Sequence, residues 1–391
     1  MKKLLLLLFF ISSTINAQTN TEIHVFDIIK KEKGYQLKNG KNISNNKGYD
    51  SQPFFYSDTE ILFASNKKGN TEIILHNLIS GENFKKSNTL NGGEYSPQRI
   101  PNSKNISAVR LDDDGLQRFY KYNFKSNKNK ELIKNLKVAY PTWYDKNTVI
   151  AVSIVNDSLE LLVSDLKKKT NISVAKNVGR SVHKIPNSNL VSFISKENAK
   201  YWLLKSLNPI TKEIKTITSV GKSEDVTWLP NGTLLISRDN SIYQFNPKTD
   251  KYPTVFYSFT DENINNISRI AVNSDGSKIA FVAEVSPRYL AQEQLDGYNN
   301  RDIDAFLKPY AKNVKVYRFP NKLNYEGLEK MRKNYESFFK NTPDLHCKLI
   351  SRVVHKDKVI DHELVTANGK TFKAVAIYKM KNGKIASVTF L

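Results

Sequence analysis

The residues of this chain best suited to chemistry lie near its C-terminus, in a predicted strand from Lys358 to Thr366. Asp361, His362 and Glu363 follow one another there, and an imidazole between two carboxylates could move protons or bind a metal ion. Successive residues of a strand point to opposite faces, however, so these three side chains cannot all reach one ion. The sequence therefore predicts no metal site, and His362 is the candidate for acid–base chemistry or ligand contact.

Alternation divides this predicted strand into a more apolar face and a more acidic face. Ile360, His362 and Leu364 form the apolar face, and we expect them to pack against the helices of the same domain. In the next strand, Ala374 and Ala376 are small enough to leave a space beside His362. The predicted ligand-binding residues are Tyr317, His362, Ala374, Ala376 and Tyr378.

Three roles for His362 stay open at this point. It could hydrogen-bond a buried partner such as Tyr317, contact a bound ligand, or act as an acid or base. Elsewhere, the run from Asp112 to Gly115 lacks the spaced oxygen ligands and the distant glutamate of a calcium loop, so we interpret it as a hairpin tip. The sequence predicts neither a metal nor an organic cofactor.

The N-terminus has the three parts of a secretory signal peptide. A basic start, Met1-Lys2-Lys3, precedes an apolar run over residues 4–11 and a short polar stretch that ends at Ala17. The apolar run is less than half of the roughly 20 residues that cross a bilayer, so we do not expect a membrane anchor. Cleavage after Ala17 would leave no nearby cysteine to carry a lipid. We therefore expect a periplasmic or secreted protein.

Composition favours a protein that is held together by buried apolar surface. The chain has 391 residues and a single cysteine, Cys347, which excludes an internal disulfide. The net charge of +22 comes largely from lysines that are scattered through turns and not gathered on one helix among aromatic residues. We therefore expect no nucleic-acid partner, but a basic surface that is solvated or attracts acidic glycans or anionic lipids.

A repeat of about 44 residues organises the chain up to residue 287. Each copy has a polar opening, an apolar strand, a turn and a second apolar strand. Six copies begin with the openings Ser51-Gln52-Pro53, Ser96-Pro97-Gln98, Tyr140-Pro141-Thr142, Ser181-Val182-His183, Asp225-Val226-Thr227 and Ile267-Ser268-Arg269. The last copy holds only two strands, and residues 22–44 supply two more before the first copy. We therefore expect six blades, the last completed by the N-terminal strands.

Residues 63–74 and 273–281 resemble the repeat of Tol-type, WD-like periplasmic propellers. The resemblance extends over about 260 residues and implies an all-β six-bladed propeller over residues 18–287. Such a propeller is expected to act as a rigid disc whose faces and central funnel receive a protein or a cell-envelope component. No Gly-x-Ser-x-Gly sequence occurs in the chain, which argues against a hydrolase that the propeller would gate.

From residue 288 onward the apolar spacing changes from two to about 3.6 residues, which indicates helices. We expect three helices, the second carrying Ile303, Phe306, Leu307 and Tyr310, packed on a curved antiparallel sheet. These features predict a small α+β cone over residues 288–391.

The sequence of this domain resembles the nuclear transport factor 2-like superfamily, in particular its SnoaL-like and steroid-isomerase-like branch. The resemblance is carried by residues 294–306, 316–320 and 382–385. A steroid isomerase needs a carboxylate base opposite a tyrosine and a protonated acid. Motif alignment places these groups at Phe319, Gln294 and Ala376, which lack them, so the resemblance does not imply that reaction.

Two functional hypotheses result. The first is an exported, non-catalytic binding or scaffold protein, whose propeller docks a protein or envelope partner and whose cone holds a small apolar ligand or a second partner. The alternative is an enzyme of the isomerase, cyclase or dehydratase type that uses His362, with the propeller as a targeting module. The exposed sheet of the last domain is also a candidate surface for homodimer formation.

Overall fold

The structure is a computed structural model that describes residues 20–391 except 33, 47, 68, 91, 127, 262 and 382. The predicted signal peptide, residues 1–17, lies outside the described residues. Up to Glu284 the described elements are all strands, and the first helix begins at Pro287. No helix in the described part of the chain combines the length and the apolar character that crossing a membrane requires.

The first part of the chain, as far as it is described, folds into six blades of four strands each, which confirms the predicted propeller. In chain order its strands are β1 (Thr21–Lys30), β2 (Tyr35–Asn42), β3 (Asp50–Ser57), β4 (Glu60–Lys67), β5 (Asn70–Asn77), β6 (Asn83–Lys85), β7 (Gly93–Arg99), β8 (Ile106–Leu111), β9 (Gln117–Tyr122), β10 (Asn129–Ile133), β11 (Val138–Trp143), β12 (Thr148–Val155), β13 (Ser158–Asp165), β14 (Thr170–Lys176), β15 (Val178–Lys184), β16 (Val191–Ser195), β17 (Trp202–Leu207), β18 (Ile214–Gly221), β19 (Val226–Trp228), β20 (Leu234–Arg238), β21 (Ser241–Phe245), β22 (Thr254–Ser258), β23 (Asn265–Val272) and β24 (Lys278–Glu284). Blades one to five take four consecutive strands each from β3 to β22, and blade six has the order β23-β24-β1-β2.

Burial within a blade depends on how far a strand lies from the centre of the ring. The second strand of a blade is covered on both faces by its neighbours, so it is apolar almost throughout: all five residues of β16 are buried. The outermost strand faces solvent, and most residues of β14 are exposed. The continuous apolar runs in the sequence therefore correspond to strands that are buried on both faces, and not to strands with one solvent-exposed face.

Side chains of the innermost strands tie neighbouring blades together. The Thr142 hydroxyl donates a hydrogen bond to the carbonyl of Val182 in the next blade at 2.7 Å. Two tryptophans repeat one contact: the indole N–H groups of Trp143 and Trp228 donate to Ser107 and Ser192 of the preceding blades, each at 2.9 Å. These bonds satisfy polar groups that would otherwise be buried without partners, and they fix the blades relative to one another.

The N-terminal strand closes the ring. Strand β1 pairs with β24 from Thr21 opposite Glu284 to Asp27 opposite Lys278, and β2 follows at the outer edge. Ile23 of β1 is completely buried and packs in one apolar cluster with Phe63 of the first blade. The first strand of the chain therefore joins its last blade to its first.

The second part of the chain is an α+β domain, as predicted. Its elements are α1 (Pro287–Asn299), α2 (Ile303–Leu307), β25 (Tyr310–Arg318), β26 (Lys322–Glu326), α3 (Leu328–Asn341), β27 (His346–His355), β28 (Lys358–Ala367), β29 (Lys370–Lys381) and β30 (Lys384–Phe390). The sheet order is β26-β25-β30-β29-β28-β27, and one face packs against the helices. Ser286 caps α1 through a 3.2 Å hydrogen bond from the backbone N–H of Arg288, so the junction with the propeller is short.

Two expectations for this domain were wrong in detail. The second helix ends at Leu307, and Tyr310 is the first residue of β25, because Pro309 lacks the backbone N–H that would continue the helical hydrogen bonds. The sheet is not wholly antiparallel, since β25 and β30 run parallel at its centre. The chain passes through α3 and four strands between them, and this long connection allows the parallel arrangement.

Replacement of Ile23 by Ala should destabilise the propeller by about 2–5 kcal/mol, because it opens a cavity between the last and first blades. Urea unfolding followed by tryptophan fluorescence measures this, since all three tryptophans of the chain lie in the propeller: Trp143, Trp202 and Trp228. Ile79→Ala is the control, because Ile79 is 81% exposed and its loss should cost less than about 0.5 kcal/mol. Equal midpoints for the two variants would contradict the role of β1 in closure.

Candidate functional site

The innermost strands of the propeller surround two adjoining cavities of about 570 and 350 Å³. Arg180, Asp225 and Arg269 line both cavities, which together are called the central channel below. Arg180 stands on β15 and Arg269 on β23, which are each paired with the next strand of their blade, and Asp225 directly precedes β19. The channel has a size that suits a ligand or a protein segment.

Charge in the wider cavity of the channel is balanced between four basic and four acidic side chains. They are Arg180, Lys222, Arg238 and Arg269 against Glu224, Asp225, Asp239 and Glu284. Arg180 of blade four donates from Nε to Oδ1 of Asp225 in blade five at 3.1 Å. Burial lowers the pKa of His183, which lines the second cavity, to about 4, so its imidazole is neutral near pH 7.

In the C-terminal domain, strand β28, which carries His362, has inside the domain the face that we expected outside. Asp361 is completely buried and Glu363 is 5% exposed, whereas Ile360 is 37% exposed and His362 is half-buried on the outer face of the sheet. The prediction that the more apolar face would pack against the helices was therefore wrong. The interior of the domain contains the carboxylates.

The inward Asp361 is held by an ion pair with Arg352 on the adjacent strand. Nε of Arg352 lies 2.6 Å from Oδ1 of Asp361, Nη2 lies 2.7 Å from Oδ2, and the side chains are 3% and 0% exposed. The paired geometry of a guanidinium and a carboxylate compensates for the loss of water around both charges. Nη1 of Arg352 also donates to Oε1 of Gln292 at 2.9 Å. Arg352 makes the inward orientation of Asp361 possible, and this ion pair was not among the sequence-based expectations.

Glu363 ends a chain of buried hydrogen bonds. The Tyr378 hydroxyl donates to Oε1 of Glu363 at 3.3 Å, Nε2 of Gln294 donates to the Tyr378 oxygen at 2.9 Å, and the Tyr310 hydroxyl donates to Oε1 of Gln294 at 3.2 Å. Burial, with a smaller contribution from the charge of Asp361, raises the pKa of Glu363 to about 7. The chain of hydrogen bonds links α1 with the strands β25, β28 and β29, and each member is at most 5% exposed.

Comparison with known proteins agrees with this architecture. Residues 291–388 match the family model of the SnoaL-like domain. The C-terminal domain is SnoaL-like. No curated protein matches the chain.

Solved structures resemble the two parts separately. A protein from Agrobacterium tumefaciens named as a TolB is 12% identical, with a TM-score of 0.52, covering 68% of this chain and 98% of its own. A cystatin-fold protein from Novosphingobium aromaticivorans is 22% identical, with a TM-score of 0.26, covering 27% and 98%. An NTF2-like protein from Cytophaga hutchinsonii is 20% identical, with a TM-score of 0.25, covering 28% and 91%. At 12% identity the likeness to the Agrobacterium protein concerns the fold alone, and the first part of this chain has the Tol-type propeller fold.

The five predicted ligand-binding residues do not form one site in the SnoaL-like domain. Ala376 and Tyr378 are buried on the inner face and Ala374 pairs with Glu363, whereas Tyr317 and His362 lie on the outer face. His362 pairs with Ser351 and Val375 across the sheet, so the expected space between it and the alanines does not exist. Ligand binding by the three inner residues stays a prediction.

The positions aligned with the steroid-isomerase groups also divide between interior and surface. Gln294 and Ala376 are buried, whereas Phe319 is 63% exposed at the end of β25. Within the described residues, no group of three or more His, Cys, Asp or Glu side chains is placed to hold a metal ion.

The SnoaL-like domain has a separate small opening beside its buried network. This aromatic pocket has a volume of about 240 Å³, and its walls include Tyr298, Tyr325, Tyr335 and Phe338. Asn334 of α3 is exposed and also lines it. The pocket combines aromatic surface with an amide at its margin, which suits a small, flat apolar molecule with one polar group. No pattern in the sequence predicts that these aromatic residues of α1, β26 and α3 lie next to one another.

In the wild-type protein, ionisation of Glu363 should lower the free energy of unfolding of the SnoaL-like domain as pH rises, and the Glu363→Gln variant should not show this decrease. Because the pKa of Glu363 is about 7 in the folded state against an ordinary 4.5, the folded state binds the extra proton between these values. The contribution of this group to the free energy of unfolding therefore falls as pH rises from about 4.5 to 7, by at most about 3 kcal/mol. The amide has no such titration, so the variant should gain relative stability over that window.

Urea unfolding of both proteins at pH 4.5 and 7 measures the difference. Cys347, the one cysteine of the chain, is 4% exposed in this domain, so its reaction with dithiodipyridine reports opening of this domain and not of the propeller. A difference between the two proteins that does not change with pH would contradict the prediction.

Proposed function

We propose that this protein is an exported, non-catalytic binding protein whose propeller docks a protein or cell-envelope partner through its central channel. One contrast carries the proposal: the channel is an open, charged cavity of about 570 Å³, whereas the acid–base groups of the SnoaL-like domain are buried and occupied by one another. Export rests on the N-terminal sequence pattern, whose residues 1–17 lie outside the described part.

The buried network argues against the enzyme alternative. A catalytic acid or base must reach the proton that it transfers. Glu363 is 5% exposed and the Tyr378 hydroxyl already contacts it, so a substrate would have to displace this packing to approach it. His362, the catalytic candidate of the sequence analysis, lies outside the domain interior.

The charged side chains of the central channel are carried by a backbone that is already fixed before a partner binds. Its innermost strands are short and fixed by hydrogen bonds between blades, such as that from Nε2 of Gln98 to the Pro141 carbonyl at 2.6 Å. Four basic and four acidic side chains line its wider cavity, so a partner with charges of both signs would be oriented as well as attracted.

The small apolar ligand that the first hypothesis expects in the C-terminal cone would bind in the aromatic pocket. Its volume of about 240 Å³ is close to the lower limit for small-molecule sites, which restricts the ligand to roughly one or two fused rings. This second binding function depends on the pocket alone and not on the partner of the propeller.

Site-specific photocrosslinking tests the partner proposal in the cell. With p-benzoyl-phenylalanine at Asp239, which is exposed and lines the wider cavity, irradiation should give a discrete adduct. The control places the same residue at Val255, which is 53% exposed on the outermost strand of the same blade, and should give none. The mass of the uncrosslinked chain reports whether residues 1–17 are removed. No adduct at Asp239, or equal adducts at both positions, would refute docking through the channel.

Thermal unfolding tests the aromatic pocket with 2-naphthol as the probe. Binding to the folded state should raise the melting temperature of the full chain, and the shift should grow with the logarithm of the 2-naphthol concentration once that exceeds Kd. Asn334→Trp fills the opening and should abolish the shift, whereas Lys333→Trp, at the next and equally exposed helix position outside the pocket, should keep it. Loss of the shift in both variants, or in neither, would argue against the pocket.

A further inference from the structure

A third cavity of the propeller differs chemically from the central channel. This side cavity has a volume of about 310 Å³ and lies between the inner parts of the first three blades, with Arg269 of blade six at its boundary. Arg269 is the one charged side chain among the described residues that line it. It also lines both cavities of the central channel, so its guanidinium stands where the three spaces meet.

The backbone at Arg269 is held in an unusual conformation. Its φ is 50°, in the left-handed region that non-glycine residues rarely adopt, and the pairing of β23 with β24 shifts register between Ser268 and Ala271. Such a bulge redirects a side chain and commonly marks a functional position. Gln52 occupies the corresponding bulge of β3 with a φ of 59°, but it is already bonded, through Oε1, to the backbone N–H of Ser96 at 2.7 Å.

Arg269 has no carboxylate partner among the described residues. Its guanidinium lies 5.0 Å from the ring centre of Tyr140, which is a cation–π contact that leaves its N–H groups available in the plane of the group. Arg180, another arginine of the central channel, is instead paired with Asp225. A guanidinium in a cavity without a counter-ion attracts an oxyanion.

A second unsatisfied group points to the rest of the ligand. Oε1 of Gln117, another residue of the side cavity, is buried and accepts no hydrogen bond from any described residue. Buried carbonyl oxygens are nearly always paired, so an unpaired one beside a cavity marks the place of a missing donor. An N–H or O–H group of a ligand would satisfy it.

The remaining wall of the side cavity is mainly apolar. Leu111 of blade two with Ile154 and Leu159 of blade three contribute aliphatic surface next to the tyrosine rings. The cavity therefore has a cation, a hydrogen-bond acceptor and an apolar wall within a space close to the lower limit for small-ligand sites.

We propose that the side cavity binds a carboxylate that is attached to an apolar body with a neighbouring N–H donor, as in an N-acylated apolar amino acid or the C-terminal residue of a peptide. The carboxylate pairs with Arg269, the N–H donates to Gln117, and the apolar side chain lies against Leu111, Ile154 and Leu159. A single guanidinium matches one negative charge, which favours a carboxylate over a phosphate dianion. This site goes beyond the proposed function, because it does not require a partner in the central channel.

Isothermal titration calorimetry with the full chain tests this site with N-acetyl-leucine as the probe. N-acetyl-leucinamide has the same donor and side chain without the charge, and it should bind at least about tenfold more weakly. Arg269→Gln should weaken N-acetyl-leucine binding by about tenfold or more, and glutamine is suitable there because Gln52 adopts the same backbone conformation. Arg99→Gln is the matched control, since Arg99 also lies over a tyrosine ring, that of Tyr56, but lines neither the central channel nor the side cavity, and it should leave the affinity unchanged.

A second variant tests the donor contact without touching the charge. Gln117→Leu removes the unpaired oxygen, so it should raise the melting temperature of the free protein while weakening N-acetyl-leucine binding. The peptide Ala-Ala-Ala-Leu distinguishes the two sources of the ligand: binding as tight as that of N-acetyl-leucine assigns a peptide terminus, and binding of the small acid alone assigns a free metabolite.

Three results would overturn the inference: no binding of N-acetyl-leucine up to 10 mM, equal binding of the neutral amide, or unchanged affinity in a folded Arg269→Gln variant. The comparison of acid with amide uses the wild-type chain, so it holds even if a variant does not fold. Photocrosslinking at Asp239 is independent of this titration, and either proposal can therefore fail alone.

Discussion

The pairing of β1 with β24 is the constraint on which the rest of the propeller depends. Without β1, the edge of β24 would be open and the apolar cluster around Ile23 would lose its centre. The pairing of β1 with β24 also affects the cavities that Arg269 lines. Arg269 stands on β23, which pairs with β24 at only a few positions on either side of its bulges. The position of that guanidinium thus depends on a blade that is complete only when both ends of the propeller sequence have met.

The two parts of the molecule handle buried charge in opposite ways. In the SnoaL-like domain, Asp361 is neutralised by Arg352 and Glu363 is held by Tyr378, so polar groups inside the cone satisfy one another. In the propeller, Arg269 and Gln117 line the side cavity without such partners among the described residues. The first arrangement contributes to a defined interior, whereas the second leaves interaction energy available for a ligand.

The misassigned face of β28 shows what strand alternation can and cannot predict. The sequence indicated correctly that Asp361 and Glu363 share one face and that His362 lies on the other. Which face points inward depended on Arg352, which pairs directly with Asp361 across the β27–β28 hairpin. A search for opposite charges at paired hairpin positions could have revealed this, because an inward carboxylate needs a nearby cation.

The sequence by itself determined the number of blades, the two-part organisation and the location of the inner strands of the blades. These depend on local patterns, namely repeat length, turn residues and apolar periodicity, which each segment carries without its neighbours. Only the tertiary structure decided which side chains share a cavity. Arg269 and Gln117 belong to blades six and two, and they meet at the side cavity because the ring closes and a bulge turns β23 toward it. Closure and bulge geometry arise from long-range pairing, so no local pattern in the chain records them.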